Sequence, residues 1–593
     1  MKNFLSSFLG SLTALFVFSF LGIFILISFV VGSVIAVSNE TEPVLKPNTV
    51  LELRLQGEIV EHLSKDDELI ANFAFPGQED VINIQSLADI RKSLHSAANA
   101  PEIKGVYVRA DMFTAGYSTL REIRYYLQDF KERSGKFVVA YADNYSQKAY
   151  YVASVADKVY LNPQGMLDLR GLSSQTMYVK NTLEKVGVEM TVVKHGKYKS
   201  AVEPYLTDKM SDESREQTTE LLNSTWLMYC NEVSASRNLT SADIDRYADE
   251  LMGFQDPKLY VENNLVDSLL YYDEMLAELK NLAGINKEKD LKRMLTSKYA
   301  KGVEPVERLA DVKDKIAIIY AEGAIDGGSP GGINSNKLIS DIRDARKDKN
   351  VKAIVLRLNT PGGSAYGSEQ IWRELMVARD SVTIIASMGD VAASGGYYIA
   401  SAAHKIVAQP TTITGSIGIF ATIPNISKLE EKLGLKFDGV QTNKMADFLN
   451  PNRAVTKQEK AMLQSYVERG YDTFLQRCAD GRGMTKEQID AIGQGRVWTG
   501  EKAQELGLVD MLGYTEDAIF EANVLSGIED YIIEEYPKPE PLFESLFESL
   551  NSQTKSLIMQ ARYGEYYQLY QYAERIKGLQ GLQARMPFDL EIY

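Results

Sequence analysis

The chain repeats itself, and that constrains its fold more than any single motif does. "FVVAYADNYSQKAYYVASVADKVYLNPQ" from Phe137 aligns without a gap on "IIASMGDVAASGGYYIASAAHKIVAQPT" from Ile384; one constant shift carries Tyr150-Tyr151 onto Tyr397-Tyr398 and Pro163 onto Pro410. The shift continues through "EKVGV" at Glu184 and "EKLGL" at Glu431. Upstream, "IKGVYVRAD" at Ile103 matches "VKAIVLRLN" at Val351, and "LQGEIV" at Leu55 echoes "AEGAID" at Ala321; downstream, "NNLVD" at Asn263 answers "LGLVD" at Leu506. Two copies of one unit therefore occupy residues 48–272 and 314–527. The charged stretch 273–313 between them reads as a helical connector, and 528–593 is left as a tail of open role.

Each copy alternates short β-rich runs ("KAIVLRL", "VTIIAS", "KIVAQ") with helix-length amphipathic segments ("GSEQIWRELMVARD", "KQEKAMLQSYVERGYDTFLQRC"). That alternation predicts an α/β fold with a buried, largely parallel sheet in each copy. Cys230 and Cys478 fall at nearly matching places on late helices, which favours buried packing residues over a disulfide. With two cysteines and four scattered histidines there is no cluster at metal-ligand spacing, and neither metal nor cofactor is implied. A net charge of −15 without a Lys/Arg tract excludes nucleic acid as a natural partner.

No residue from Asn3 to Asn39 is charged, and the apolar run Phe4–Val37 is about 50 Å long as a helix against a hydrocarbon core of about 30 Å. Residues 1–40 are therefore expected to anchor the chain in a membrane. A cleaved signal peptide, with Val34-Ile35-Ala36 as its cleavage site, is the alternative, but the run far exceeds an ordinary signal-peptide core. Lys2 before the run and Glu40 and Glu42 after it put the start in the cytoplasm and export the rest. In the tail, Leu542, Phe543, Leu546, Phe547 and Leu550 form one helical face suited to docking on protein.

Because the copies share one plan, each serves as a control for the other. "AASGGYY" places Ser394 among small residues, which packing alone would explain if the first copy kept them. It does not: Ser394 faces Gln147, Gly395 faces Lys148, and the Pro361-Gly362-Gly363 turn faces "ADMFTAG". Two glycine-rich features kept together in one copy and lost together in the other suit a nucleophile on a turn. Gly395 and the Gly362-Gly363 turn would offer backbone N–H groups to an oxyanion.

No histidine has a placed acid partner. His62 and His95 lie in weakly patterned regions, His404 faces Asp157, and His195 is flanked by lysines. A second candidate base is Lys199 of "VVKHGKYKSAVEPYL", which faces Ala446, although spacing alone equally allows one more solvated lysine beside Lys194 and Lys197. A crotonase-like acyl-CoA enzyme and a non-catalytic membrane scaffold also stay open on the residues.

"NTPGGSA", "SMGDVAASGGYYIAS", "TGSIGIF" and "HGKYKSAVEPYL", in a duplicated chain with one N-terminal anchor, closely resemble the long form of the signal peptide peptidase A family, also called protease IV. The resemblance implies units akin to the crotonase and Clp protease fold, Ser394 as nucleophile, Lys199 as base and Ser416 as the residue that orients its amine. It further implies a homotetramer on the outer face of the cytoplasmic membrane, degrading signal peptides without a cofactor.

Overall fold

A computed structural model describes residues 10, 13, 15–21, 45–63, 84–286, 288–302, 312–327, 332–538 and 582–586. Among these, no helix is long and apolar enough to cross a membrane. The expected anchor over 1–40 falls almost wholly outside the described residues, as does the apolar face Leu542–Leu550.

The first copy builds a parallel sheet from β1 (Thr49–Val60), β2 (Ile84–Ser86), β3 (Ile103–Thr114), β4 (Phe137–Ala142) and β5 (Lys158–Leu161). Strand β6 (Glu189–His195) leaves that sheet, while β7 (Ser268–Leu269) and β8 (Lys292–Leu295) return to it beside β5 and β1. The second copy repeats the plan with β9 (Lys315–Glu322), β10 (Val351–Thr360), the short β11 (Gly362–Ser364), β12 (Thr383–Ala393), β13 (Lys405–Ala408) and β14 (Ile413–Gly415). It adds β15 (Ile419–Asn425), β16 (Val497–Thr499), β17 (Met511–Leu512) and β18 (Ile532–Tyr536), and a last strand, β19 (Gln583–Arg585), comes from the tail. In β10, Ile354 and Leu356 enter the core on one face of the sheet, and Ala353 and Val355 that on the other. A strand dry on both sides is what the apolar run "AIVL" within "KAIVLRL" encodes.

Both repeat boundaries move. Residues 273–313 are not only a helical connector, because Lys292–Leu295 adds β8 in parallel to β1. Equivalently, Ile532–Tyr536, placed in the tail from sequence, adds β18 in parallel to β9. Each copy thus closes the free edge of its first strand with a segment from beyond its recognisable repeat. "KRML" and "IIEEY" share no letters that would have aligned them. Cys230 and Cys478 are free and buried, as packing residues should be.

Two features join the copies. Strand β6 of the first pairs antiparallel with β15 of the second, His195 opposite Ile419 and Glu189 opposite Asn425. Deeper, Arg357 on β10 is 1% exposed and takes two carboxylates from the first copy, Glu61 at 2.8 Å and Glu122 at 2.8 Å. Its Nη1 donates to Ser387 Oγ and Met388 O. Burial pushes Glu61 above its ordinary value despite Arg357. Glu122 resists the same burial and is held below its ordinary value by Arg357 and by hydrogen bonds from Thr515 and Tyr126. One guanidinium thus serves two buried acids.

Arg357→Met should cost about 3–5 kcal/mol in urea unfolding of the full chain, since it strands two dry carboxylates. Adding Glu61→Gln and Glu122→Gln should restore most of that loss. A single variant as stable as the parent would contradict the role assigned to this cluster.

Candidate active site

Strand β12 ends at Ala393 and the helix Gly395–Ala400 begins two residues on, leaving Ser394 alone to make the turn. It does so with φ 56° and ψ −111°, a conformation costly for any residue with a Cβ. The small neighbours have specific reasons. A Cβ on Gly395 would stand 2.6 Å from Ser368 Oγ, and one on Gly396 would stand 2.7 Å from the Thr360 methyl. The serine is presented on a strained elbow against the Pro361-Gly362-Gly363 turn.

The partner of that serine comes from the other copy. The β6–β15 zipper aligns the chain leaving β6 with the segment Ser416–Gly418 that enters β15, and Lys199 lies four residues beyond His195 in the same loop. The backbone of Gly495 is what admits it, since a Cβ there would lie 2.7 Å from the Lys199 amide nitrogen. Tyr198 N–H, donating to Gln494 O at 3.0 Å, fixes the loop. The Lys199 amine ends 2.8 Å from Ser394 Oγ, 3.0 Å from Ser416 Oγ and 3.0 Å from Ser416 O. Lys199, Ser394 and Ser416 are all fully buried. Burial pushes the Lys199 ammonium well below the ordinary lysine value, and no carboxylate opposes the shift. A lysine so placed is not one more solvated cation, and its lowered affinity for a proton is what a general base requires.

The structure thus brings Ser394, Lys199, Ser416, Gly395, Gly362 and Gly363 together, but it divides the work of the glycines. The Gly362 N–H donates to Thr360 Oγ1 at 3.1 Å, so Gly362 is not a free oxyanion donor as the sequence suggested. Its part is conformational, with φ 90°. The donors left to face the elbow are the N–H groups of Gly363 and Gly395. His195 instead stacks on Tyr471, His62 on Tyr320, and His404 Nδ1 accepts from the Ile384 amide.

At the corresponding elbow of the first copy, Gln147 fills the serine's place. Its carbonyl oxygen accepts from the Arg170 and Gly171 amides and its amide group donates to Gly171 O, bracing a loop where the second copy has Ile417-Gly418. The Lys148 amine donates to Ala115 O across what would be the groove. Ala446, the counterpart of Lys199, is exposed. Two contributors had no sequence signal: Gly495, whose use appears only once Lys199 is seen against it, and the tail segment 582–586, which β19 places beside Gly362–Ser364.

Comparison with known proteins is consistent with this site. Peptidase family S49 matches residues 131–286 and 378–529, one stretch in each copy. Protease 4 of Salmonella typhi is 36% identical over 523 residues, covering 86% of this chain and 84% of its own. Protease 4 of Haemophilus influenzae is 34% identical over 486 residues, 79% of this chain and 78% of its own. The chloroplastic serine protease SPPA of Arabidopsis thaliana is 34% identical over 441 residues, 73% of this chain and 65% of its own. A ClpP1 variant from Listeria monocytogenes covers 36% of this chain and 97% of its own at 14% identity, with a TM-score of 0.24, too low to bear on the fold. With the family matched in both copies and the Protease 4 relatives aligned along most of their length, the chain belongs to peptidase family S49, in its duplicated protease IV form, and is a serine protease.

Proposed function

We propose that this serine protease is a membrane-anchored endopeptidase that degrades cleaved signal peptides at the outer face of the cytoplasmic membrane, using Ser394 as nucleophile and Lys199 as general base. The observation that carries the chemistry is the 2.8 Å approach of a buried, carboxylate-free amine to the serine hydroxyl. A neutral amine has two N–H groups and one lone pair. With both N–H groups donated to Ser416 O and Oγ, the lone pair is left for the Ser394 O–H, so Ser416 orients the base. Attack on a peptide carbonyl passes the serine proton to Lys199, while the Gly363 and Gly395 N–H groups receive the oxyanion. Lys199 then returns the proton to the leaving amine, and water hydrolyses the ester.

The apolar segment Phe4–Val37 supports the anchor, and the charge difference across it supports an extracytoplasmic catalytic part. A homotetramer has support from unfinished symmetry. The counterpart of β6 in the second copy is 436–442, which pairs with no strand among the described residues and bares Phe437 and Val440. The counterpart of β15 in the first copy, 172–178, is equally unpaired and bares Met177. Joining one chain's 436–442 to the next chain's 172–178 repeats the internal zipper head to tail, and such a contact closes into a ring when the rotation allows.

Ser394→Ala and Lys199→Ala should each reduce peptide hydrolysis to background in the purified protein, and the double variant should lose no more than either single one. Normal turnover by either overturns the dyad. Ser416→Ala should lower kcat about 10–100-fold with KM little changed, as expected of a residue that orients the base.

A chain beginning at Asn39 should hydrolyse soluble apolar peptides with a kcat/KM that rises with pH as Lys199 loses its proton. Because burial lowers that group, the rising limb lies below the free-lysine value of about 10.4. If the limb sits at a histidine-like value and survives in Ser394-competent Lys199→Arg, the base has been misassigned. Val440→Asp should shift the light-scattering mass toward the single chain; an unchanged mass would rule out the zipper as the assembly contact.

A further inference from the structure

The loop that carries Lys199 needs something to hold it. It leaves β6 after His195 and enters the one-turn helix Ser200–Val202, and between them Lys199 belongs to neither strand nor helix. A base has to keep its amine within hydrogen-bond reach of the nucleophile, which a long side chain on a loose backbone cannot do. The side chain of Gln217, on the helix Asp212–Arg237, answers that need. Fully buried, it donates to Tyr198 O at 3.3 Å and to Ser200 Oγ at 3.0 Å, one residue to either side of the lysine. Its carbonyl oxygen accepts from the Val497 N–H of the second copy at 3.3 Å.

The residue type suits these partners. A primary amide has two N–H donors and a carbonyl acceptor; Tyr198 O can only accept and the Val497 N–H can only donate, so the three bonds fix its orientation. Val497 then leads to the nucleophile. It lies opposite Gly415 in the pairing of β14 with β16, and Gly415 O accepts the Ser394 N–H at 2.8 Å. Beside it, the Arg496 carbonyl accepts the Ser416 N–H at 2.7 Å. One side chain thus ties the lysine's loop to the strand that fixes both serines. The repeat supplies a control: the helix Lys457–Arg482 is also 26 residues long and is capped by Thr456 as the first is by Ser211. Counted from those caps, Gln217 faces Met462, which is half exposed and stands in the copy without the lysine.

We infer that Gln217 is a positioning residue of this site: by clamping Tyr198 and Ser200 and docking on Val497, it holds the Lys199 amine in line with the Ser394 hydroxyl and closes the loop against water. The inference rests on the Ser394–Lys199 chemistry proposed above. Gln217 acts through the backbone of the loop and brings no charge to it, and the charged groups around the loop are engaged elsewhere. Arg496 donates to Tyr198 Oη and pairs with Glu216 and Glu220. The Lys194 amine donates to Lys199 O and faces Glu203 and Glu213. Lys197 lies over the Tyr198 ring, and His195 stacks on Tyr471, whose hydroxyl donates to Asp490. Burial is what lowers the Lys199 ammonium. Opening the loop therefore returns that group toward the ordinary lysine value and moves the rising limb of the pH profile upward.

The test compares the full chain in detergent with its Gln217→Leu and Gln217→Glu forms, assaying the fraction that elutes with the parent on gel filtration. Leucine removes all three bonds at similar volume; an ionised glutamate keeps an acceptor for Val497 but has no donor for Tyr198 or Ser200. On a soluble apolar peptide each variant should lose about 10–100-fold in kcat with KM within about threefold, and its rising limb should move up by about one pH unit or more. Adding Ser200→Ala to Gln217→Leu should lower kcat no further, because the two residues act through one bond. If the leucine form does not fold, the glutamate form, which has the parent's shape, decides. A merely structural glutamine would lower the melting temperature and leave the kcat and limb of the folded fraction unchanged. That result, with Lys199→Ala inactive, overturns the inference and leaves the dyad standing. Normal turnover by Lys199→Ala brings down the dyad and this inference with it.

Discussion

Everything at this site depends on keeping one amine dry. In water Lys199 would be an ammonium ion at neutral pH and useless as a base. Among the described residues no carboxylate holds it; burial alone moves it. That enclosure is made from both copies: the loop after β6 carries the lysine, β15 and its approach carry Ser416 and Gly418, and Gly495 gives way to the lysine backbone. The Arg357 cluster serves the same docking from the far side of the second sheet, and the polar contacts around it reach Gln409, whose amide donates to Ser118 O and Glu122 in the first copy. The candidate site is therefore built from both copies.

The two copies share one plan but divide its parts between them. At one elbow a strained serine is cleared by glycines; at the other Gln147 and Lys148 turn the same turn into a hydrogen-bonded brace. Arg109 and Arg357 sit at matching places in the repeat. Yet Arg109 pairs with Asp111 near the surface, whereas Arg357 is sealed between two acids of the other copy. Identical letters took different physical roles because only one of them faces the partner copy.

That is also why the sequence could be read only so far. The α/β plan, the buried cysteines and the Ser394 elbow follow from local pattern, since apolar runs, helical periods and paired losses between copies all lie along the chain. Lys199 was ambiguous from its neighbours because its amine is enclosed by residues 195 or more positions away; the family resemblance, not spacing, singled it out. Strands β8 and β18 were missed because a strand of four or five residues, two of them charged and none alternating cleanly between buried and exposed, carries little periodic signal. The Gly362 amide was misjudged because nothing in "NTPGG" tells that Thr360 Oγ1 would claim it.

The separation of base and nucleophile has a consequence for biosynthesis. A chain delivered amino-terminus first folds its first copy with the lysine but no serine, and domains fold largely as units in the order they emerge. On the proposed dyad, proteolytic capacity arises only once the second copy is complete and docked. The same holds in reverse when heat or damage loosens the junction: water reaches the amine, the amine takes up a proton, and the molecule falls silent before it unfolds. A hydrolase whose proposed base and nucleophile lie in different copies is thus inert in every state but its docked one.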